Sequence, residues 1–101
     1  MVYMIALIRI NNLTEFKSYR AKVAATLEPF GGEIQFKAKK IVTLVDENEL
    51  GSLSQIAFFS FPSQENINKW YASDEYSGLK GLRGSAGTFT IIGLTPDRYD
   101  A

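Results

Sequence analysis

Cysteine and histidine are both absent from this 101-residue chain. Without cysteine there is no disulfide framework, no thiolate nucleophile and no sulfur ligand for zinc or iron. Without histidine the commonest metal ligand and the commonest general base are missing as well. No metal and no cofactor is therefore expected, and haem is disfavoured because tyrosine is the remaining side chain that could ligate its iron. An excess of charge of one sign is also lacking: 11 basic residues balance 11 acidic ones, so the chain has no overall electrostatic footprint for nucleic acid or an anionic membrane. Nor does any apolar run approach the roughly 20 residues needed to span a bilayer. The opening "MVYMIALIRI" has no basic leader and no small-residue cleavage site, so it is expected to be a strand of a cytoplasmic protein rather than a signal peptide.

What is present is core material: 46% of residues are apolar and 13% aromatic, enough for one small domain covering residues 1–101. Val2 to Ile10 is apolar at both parities, with Tyr3, Ile5 and Leu7 on one face and Met4, Ala6, Ile8 and Ile10 on the other, which predicts a strand covered on both sides. Asn12 and Glu15 have capping-box spacing, and Phe16, Tyr19, Val23, Leu27 and Phe30 follow at three- or four-residue steps, predicting an amphipathic helix closed by Pro29, Gly31 and Gly32. Glu33 to Lys39 alternates as a one-sided strand, and "IVTLV" either extends it or forms a short strand before the polar turn "DENELGS". Ser54 to Phe61 is again apolar at both parities. After Pro62, Ser63 caps a helix on which Ile67, Trp70 and Tyr71 share a face; Ser73 caps a second short helix, and "TFTIIGLT" ends the pattern as a strand.

The order βαββαβ reads as an α+β, ferredoxin-like sandwich with both helices on one face of an antiparallel sheet. In that topology the first and third strands are central, and these are the two that are apolar on both faces. The helices cover one face only. The expected cover for the other is a second copy of the same sheet, a homodimer related by two-fold symmetry.

Several residues invite a functional reading. Gly78, Gly81, Gly84 and Gly87 recur every third position around Lys80 and Arg83, yet the spacing matches neither a Walker loop nor a dinucleotide fingerprint; a short helix and tight turn, with close backbone approach or mobility, explains it. Trp70 and Tyr71 point about 100° apart on a helix, so one is expected in the core and the other at a cavity rim or dimer contact. Tyr76 and Arg83 lie seven positions apart with Leu79 between them, a mixed face suited to a carboxylate-bearing or aromatic ligand. The alternative is an internal pair from Arg83 to Glu75 or to a carbonyl. If Ile34 and Phe36 pack beneath the helices, Gln35 and Lys37 face the dimer side as polar points of a cavity lining, or else act as charges guarding an edge strand.

"VYMIALIRINNLTEFKSY", the "PFGG" turn and "FFSFPSQENINKWYASDEYSGLKGLRGSA" resemble the family called domain of unknown function 1330, within the dimeric α/β-barrel superfamily. The resemblance spans nearly the whole chain. Its most specific part is the run from Phe61 to Ser63 followed by Trp70, Tyr71, Ser73, Glu75, Tyr76 and Arg83. It implies a ferredoxin-like protomer and a dimer whose sheets enclose or flank a cavity. Lys37 matches a basic position usually held by arginine, and "TLVDENEL" stands where the family has Leu-Glu-Gly, so Asp46 or Glu47 would replace that glutamate if the loop shifts. Superfamily relatives include cofactor-free oxygenases and isomerases. The expected function is thus binding of a small aromatic or carboxylate-bearing molecule, in a cavity near the dimer-facing sheet, by Gln35, Lys37, Trp70, Tyr71, Tyr76 and Arg83, with cofactor-independent oxygenation or isomerisation as the reaction class and a carboxylate, a desolvated Lys37 or a tyrosine as base. The alternative is a non-catalytic dimeric module or stress-associated accessory protein.

Overall fold

The opening apolar run forms strand β1 (Val2–Ile10), and the computed structural model, which describes residues 1–97, carries the chain on through the expected order. Helix α1 (Leu13–Leu27) starts where the Asn12 side chain accepts from the Glu15 backbone N–H at 3.0 Å. It ends in a 3₁₀ turn over Glu28–Phe30, and Gly31 reverses the chain at φ 73°, a left-handed conformation that glycine adopts without a Cβ penalty. Strands β2 (Glu33–Lys39) and β3 (Gln55–Phe61) follow, then helices α2 (Gln64–Ala72), α3 (Asp74–Ser77) and α4 (Lys80–Ala86), and strand β4 (Gly87–Leu94). Gly87 is where β4 meets β1: a Cβ there would run into the Arg9 carbonyl oxygen. Gly81 and Gly84 face open space instead.

The four strands form one antiparallel sheet in the order β2-β3-β1-β4. The fold is ferredoxin-like α+β, with β1 and β3 central. Met4, Ala6 and Ile8 of β1 pair with Phe59, Ala57 and Gln55 of β3 on the helix-covered face. Against this face α1 buries Phe16, Tyr19, Val23 and Leu27, and α2 buries Trp70. Among the described residues no helix is long and apolar enough to cross a membrane.

The opposite face has no helix. Tyr3 and Phe58 stack there with ring centroids 5.3 Å apart, and Phe36 stacks on the other side of Phe58 at 5.2 Å. This three-ring row crosses β1, β3 and β2, flanked by Ile5, Leu7, Ile56 and Ile92 in register.

Two expectations are corrected. "IVTLV" neither extends β2 nor forms a strand: residues 40–54 are irregular, and Ile41 and Leu44 are 93% and 88% exposed. Local turn chemistry holds this segment, with the Leu50 N–H donating to Asp46 Oδ1 at 2.6 Å and the Lys40 ammonium donating to the Gly51 carbonyl. The strict alternation read into β2 also fails. A β-bulge between Ile34 and Phe36 sets Ile34 opposite Phe59 but Phe36 opposite Phe58, so parity inverts along the strand. Phe36, expected beneath the helices, lies on the open face and is 54% exposed.

Candidate functional site

The bulge decides what reaches the helix-covered side of β2. Beyond it Lys37 pairs with Ala57, a helix-face residue, so Lys37 sits on the helix side and not on the open side as alternation implied. Gln35 does face the open side, where its amide donates to Ser60 Oγ at 2.6 Å. These two expected partners are therefore separated by the sheet.

Lys37 stands at the rim of a slot between the sheet and α1. Met4, Ala6 and Ile8 of β1, Phe59 of β3, and Phe89 and Ile91 of β4 form its floor. Phe16, Tyr19 and Val23 of α1 and Trp70 of α2 form its roof and back wall. The slot is narrow, with a cavity volume of about 40 Å³. Its cations are Lys37 and Arg20, both exposed. The Arg20 guanidinium lies 5.6 Å from the centre of the Phe16 ring, a cation–π distance that lays it along the rim. Among the described residues no aspartate or glutamate lines the slot.

This arrangement removes two of the expected bases. Lys37 is exposed, so it is not the desolvated lysine that could act as one. Asp46 and Glu47 lie in the irregular segment, where Asp46 accepts from the turn backbone; neither lines the slot. Among the described residues Tyr19 is the one phenol in the wall. Burial first, then its bond to Tyr76, pushes its pKa far above the ordinary value near 10, so it remains a neutral donor.

The segment from Trp70 to Arg83, across α2, α3 and α4, gathers into a second cluster behind the slot. Ser73 works twice here: its hydroxyl donates to the Trp70 carbonyl at 2.6 Å, ending α2, and accepts from the Tyr76 N–H at 3.3 Å, starting α3. Trp70 is buried and Tyr71 is 42% exposed, the division expected of consecutive helical aromatics. Tyr76 is completely buried, with its ring centroid 4.2 Å from that of Trp70. Arg83 Nη1 donates to the Tyr76 hydroxyl at 3.1 Å, and the Tyr76 and Tyr19 hydroxyls are 3.0 Å apart. Thus Tyr76 and Arg83 do meet, although α3 and α4 are separate helices joined at Gly78 and Leu79. The partner of Arg83 is the phenol, rather than Glu75 or a carbonyl.

On the surface of this cluster, Lys80 Nζ lies 4.2 Å from the Tyr71 ring centre and the Arg83 guanidinium 5.9 Å from it. The Arg83 guanidinium beside Tyr71 lowers that phenol's pKa; partial burial opposes the shift and Lys80 adds to it. Of the six expected ligand contacts, Lys37 and Trp70 line the slot, Tyr76 and Arg83 connect to it through Tyr19, Tyr71 marks the outer surface, and Gln35 faces away.

Arg20 and the Tyr19 hydroxyl were missing from the sequence-derived set. The spacing from Phe16 to Arg20 is an i,i+4 helical pair and could have placed the cation. Nothing in the pattern indicates that a core tyrosine one residue earlier lends its hydroxyl to a chain reaching the surface.

The family model described as Domain of unknown function (DUF1330) matches residues 1–95. No curated protein is matched by sequence. Among solved structures, the RPA0582 protein of unknown function from Rhodopseudomonas palustris superposes with a TM-score of 0.80 at 15% identity, over 97% of this chain and 83% of that one. A dabb family protein with a ferredoxin-like fold from Mesorhizobium loti gives 0.70 at 12% identity, over 96% of this chain and 97% of that one. SnoaB, a cofactor-independent oxygenase from Streptomyces nogalater, gives 0.69 at 12% identity, over 98% and 95%. At these identities the likeness is one of fold.

Proposed function

The chain belongs to the family described as domain of unknown function (DUF1330), and from that premise we propose that it is a homodimer whose protomers each bind a small apolar molecule bearing an acidic group in the slot between sheet and helices. The observation that carries the reading is an apolar slot with Arg20 and Lys37 on its rim, neither having a carboxylate within salt-bridge distance among the described residues; the ion pair found among those residues is Lys69 with Glu65, at 3.1 Å. An apolar wall with a few polar groups at its edge is the usual composition of a small-molecule site. Guanidinium and ammonium donors at the rim favour a carboxylate. With so small a resting volume, a ligand enters by parting the apolar side chains between α1 and the sheet as well as moving Arg20 and Lys37 aside at the rim.

The dimer reading is supported by the open face. The row Tyr3–Phe58–Phe36 and its aliphatic flanks make a contiguous apolar surface of the kind soluble monomers rarely present. A second sheet laid on it by two-fold symmetry is the occupant that needs no other partner.

For chemistry, the reading extends to cofactor-independent oxygenation or isomerisation. Among the described residues the slot offers no carboxylate, and the chain has no imidazole, so a substrate would have to be acidic enough to ionise without a strong resident base. The fold shared with SnoaB supports this class by analogy. The same lack of a base favours the second reading, a binding or accessory module that performs no reaction.

A thermal-shift screen of small aromatic acids and keto acids, followed by titration of the hits, tests the site. Arg20→Ala and Lys37→Ala should each weaken a hit by roughly ten- to a hundredfold, the loss of one charge-assisted contact, while the domain stays folded. Hits that bind both variants as tightly as the wild type would place the ligand elsewhere.

A further inference from the structure

We propose that the Tyr19 hydroxyl is the donor for a carbonyl oxygen of the slot's ligand, oriented by a one-way hydrogen-bond chain running from Arg83 through Tyr76. This inference rests on the reading of the slot as a ligand site and names the functional group that the ligand carries inside it.

The direction of the chain follows from counting donors. A guanidinium has donors and no acceptor, so Arg83 Nη1 takes a lone pair of the Tyr76 oxygen across 3.1 Å. Tyr76 is completely buried, and its hydroxyl lies 3.0 Å from that of Tyr19, so one of the two donates to the other. Either direction leaves one hydroxyl hydrogen free; were it that of Tyr76, no acceptor in the slot could reach it, whereas Tyr19 lines the slot, so the direction that a bound acceptor completes has Tyr76 donating. Tyr76 therefore donates to Tyr19. The Tyr19 hydrogen is then left without a protein acceptor among the described residues, on a side chain that lines the slot.

Two features make that hydrogen a good donor. A cation at the far end polarises the chain, and each bond strengthens the next. Burial keeps Tyr19 protonated, so the donor persists across the physiological pH range.

Its surroundings select the acceptor. The Phe89 ring packs edge-on against Tyr19 at 5.1 Å, Phe16 and Val23 adjoin it on α1, and the cations stand at the rim. A ligand atom that satisfies Tyr19 must be an acceptor set within an apolar frame, and a ketone carbonyl fits. An analogue with a methylene there leaves the buried donor unpaired and is discriminated against for that reason.

The test compares two acids of one skeleton, 3-benzoylpropionate and 4-phenylbutanoate, which differ by a carbonyl in place of a methylene, by calorimetric titration of the intact protein. The wild type should prefer the keto acid by about three- to tenfold, the worth of one neutral hydrogen bond. Tyr19→Phe should erase the preference by weakening the keto acid more than 4-phenylbutanoate, and Tyr76→Phe, which cuts the chain from Arg83, should reduce it. If Tyr19→Phe keeps the preference, or the wild type binds both acids equally, this inference is overturned and the slot remains a site. If Tyr19→Phe does not fold, an undiminished preference in Tyr76→Phe overturns it equally. If neither acid binds the wild type, the ligand reading itself fails and takes this inference with it.

Discussion

Trp70 donates its indole N–H to the hydroxyl of Thr26 across 3.0 Å, and Thr26 passes its own hydrogen to the Val23 carbonyl at 2.7 Å. This relay locks α2 to α1 at the back of the slot, and all its members are buried. Thr26→Val keeps the shape and removes the acceptor, leaving the indole N–H unpaired. The expected loss is about 1–3 kcal/mol of stability, read by chemical denaturation, with Thr26→Ser losing much less. A Thr26→Val variant as stable as the wild type would mean the relay contributes nothing.

Tyr19 sets a pH dependence of known sign. Its folded pKa is raised by burial and by Tyr76, so the native state holds the phenolic proton after the unfolded chain has begun to lose it near the ordinary value of 10. The contribution is fully present below that value and is lost as pH rises toward the folded one. The stability difference between the wild type and Tyr19→Phe should be flat from about pH 7 to 9 and then change against the wild type by up to about 1.4 kcal/mol per pH unit above about pH 10. A difference that stays constant to about pH 11.5 would contradict the assignment.

Most of the frame was legible because periodicity carries it. Both-parity apolar runs marked β1 and β3 as central strands, and Asn12, Ser63 and Ser73 marked helix starts that the hydrogen bonds reproduce. What escaped was register. A bulge inserts one residue without any change in composition, so the side of the sheet taken by Phe36 and Lys37 could not be read from alternation. The segment 40–54 misled for a different reason: its valines and isoleucine favour strands, yet no neighbouring strand lies beside it to pair with. For the site, the residue types were visible but their grouping was not. Arg83 and Lys37 looked like one constellation, whereas Tyr19 and Trp70 stand between them.

The dimer claim has a direct assay. Ile5 lies in the middle of the open face, between Phe58 and Ile92 in register, with its side chain away from the helix-packed core. Sedimentation should find the wild type dimeric at micromolar concentration and Ile5→Glu monomeric or unfolded. A monomeric wild type would remove the two-sheet reading.

The central claim is that the ligand enters the helix-covered side of the sheet and not the open side. Methyl-resolved nuclear magnetic resonance separates the two, because the faces carry different methyl groups. On adding 4-phenylbutanoate, Ile8, Val23, Ile34 and Ile91, which line the slot, should shift, while Ile5, Leu7 and Ile92 on the opposite face should not. Shifts confined to Ile5, Leu7 and Ile92 would put the ligand between the sheets and contradict the account.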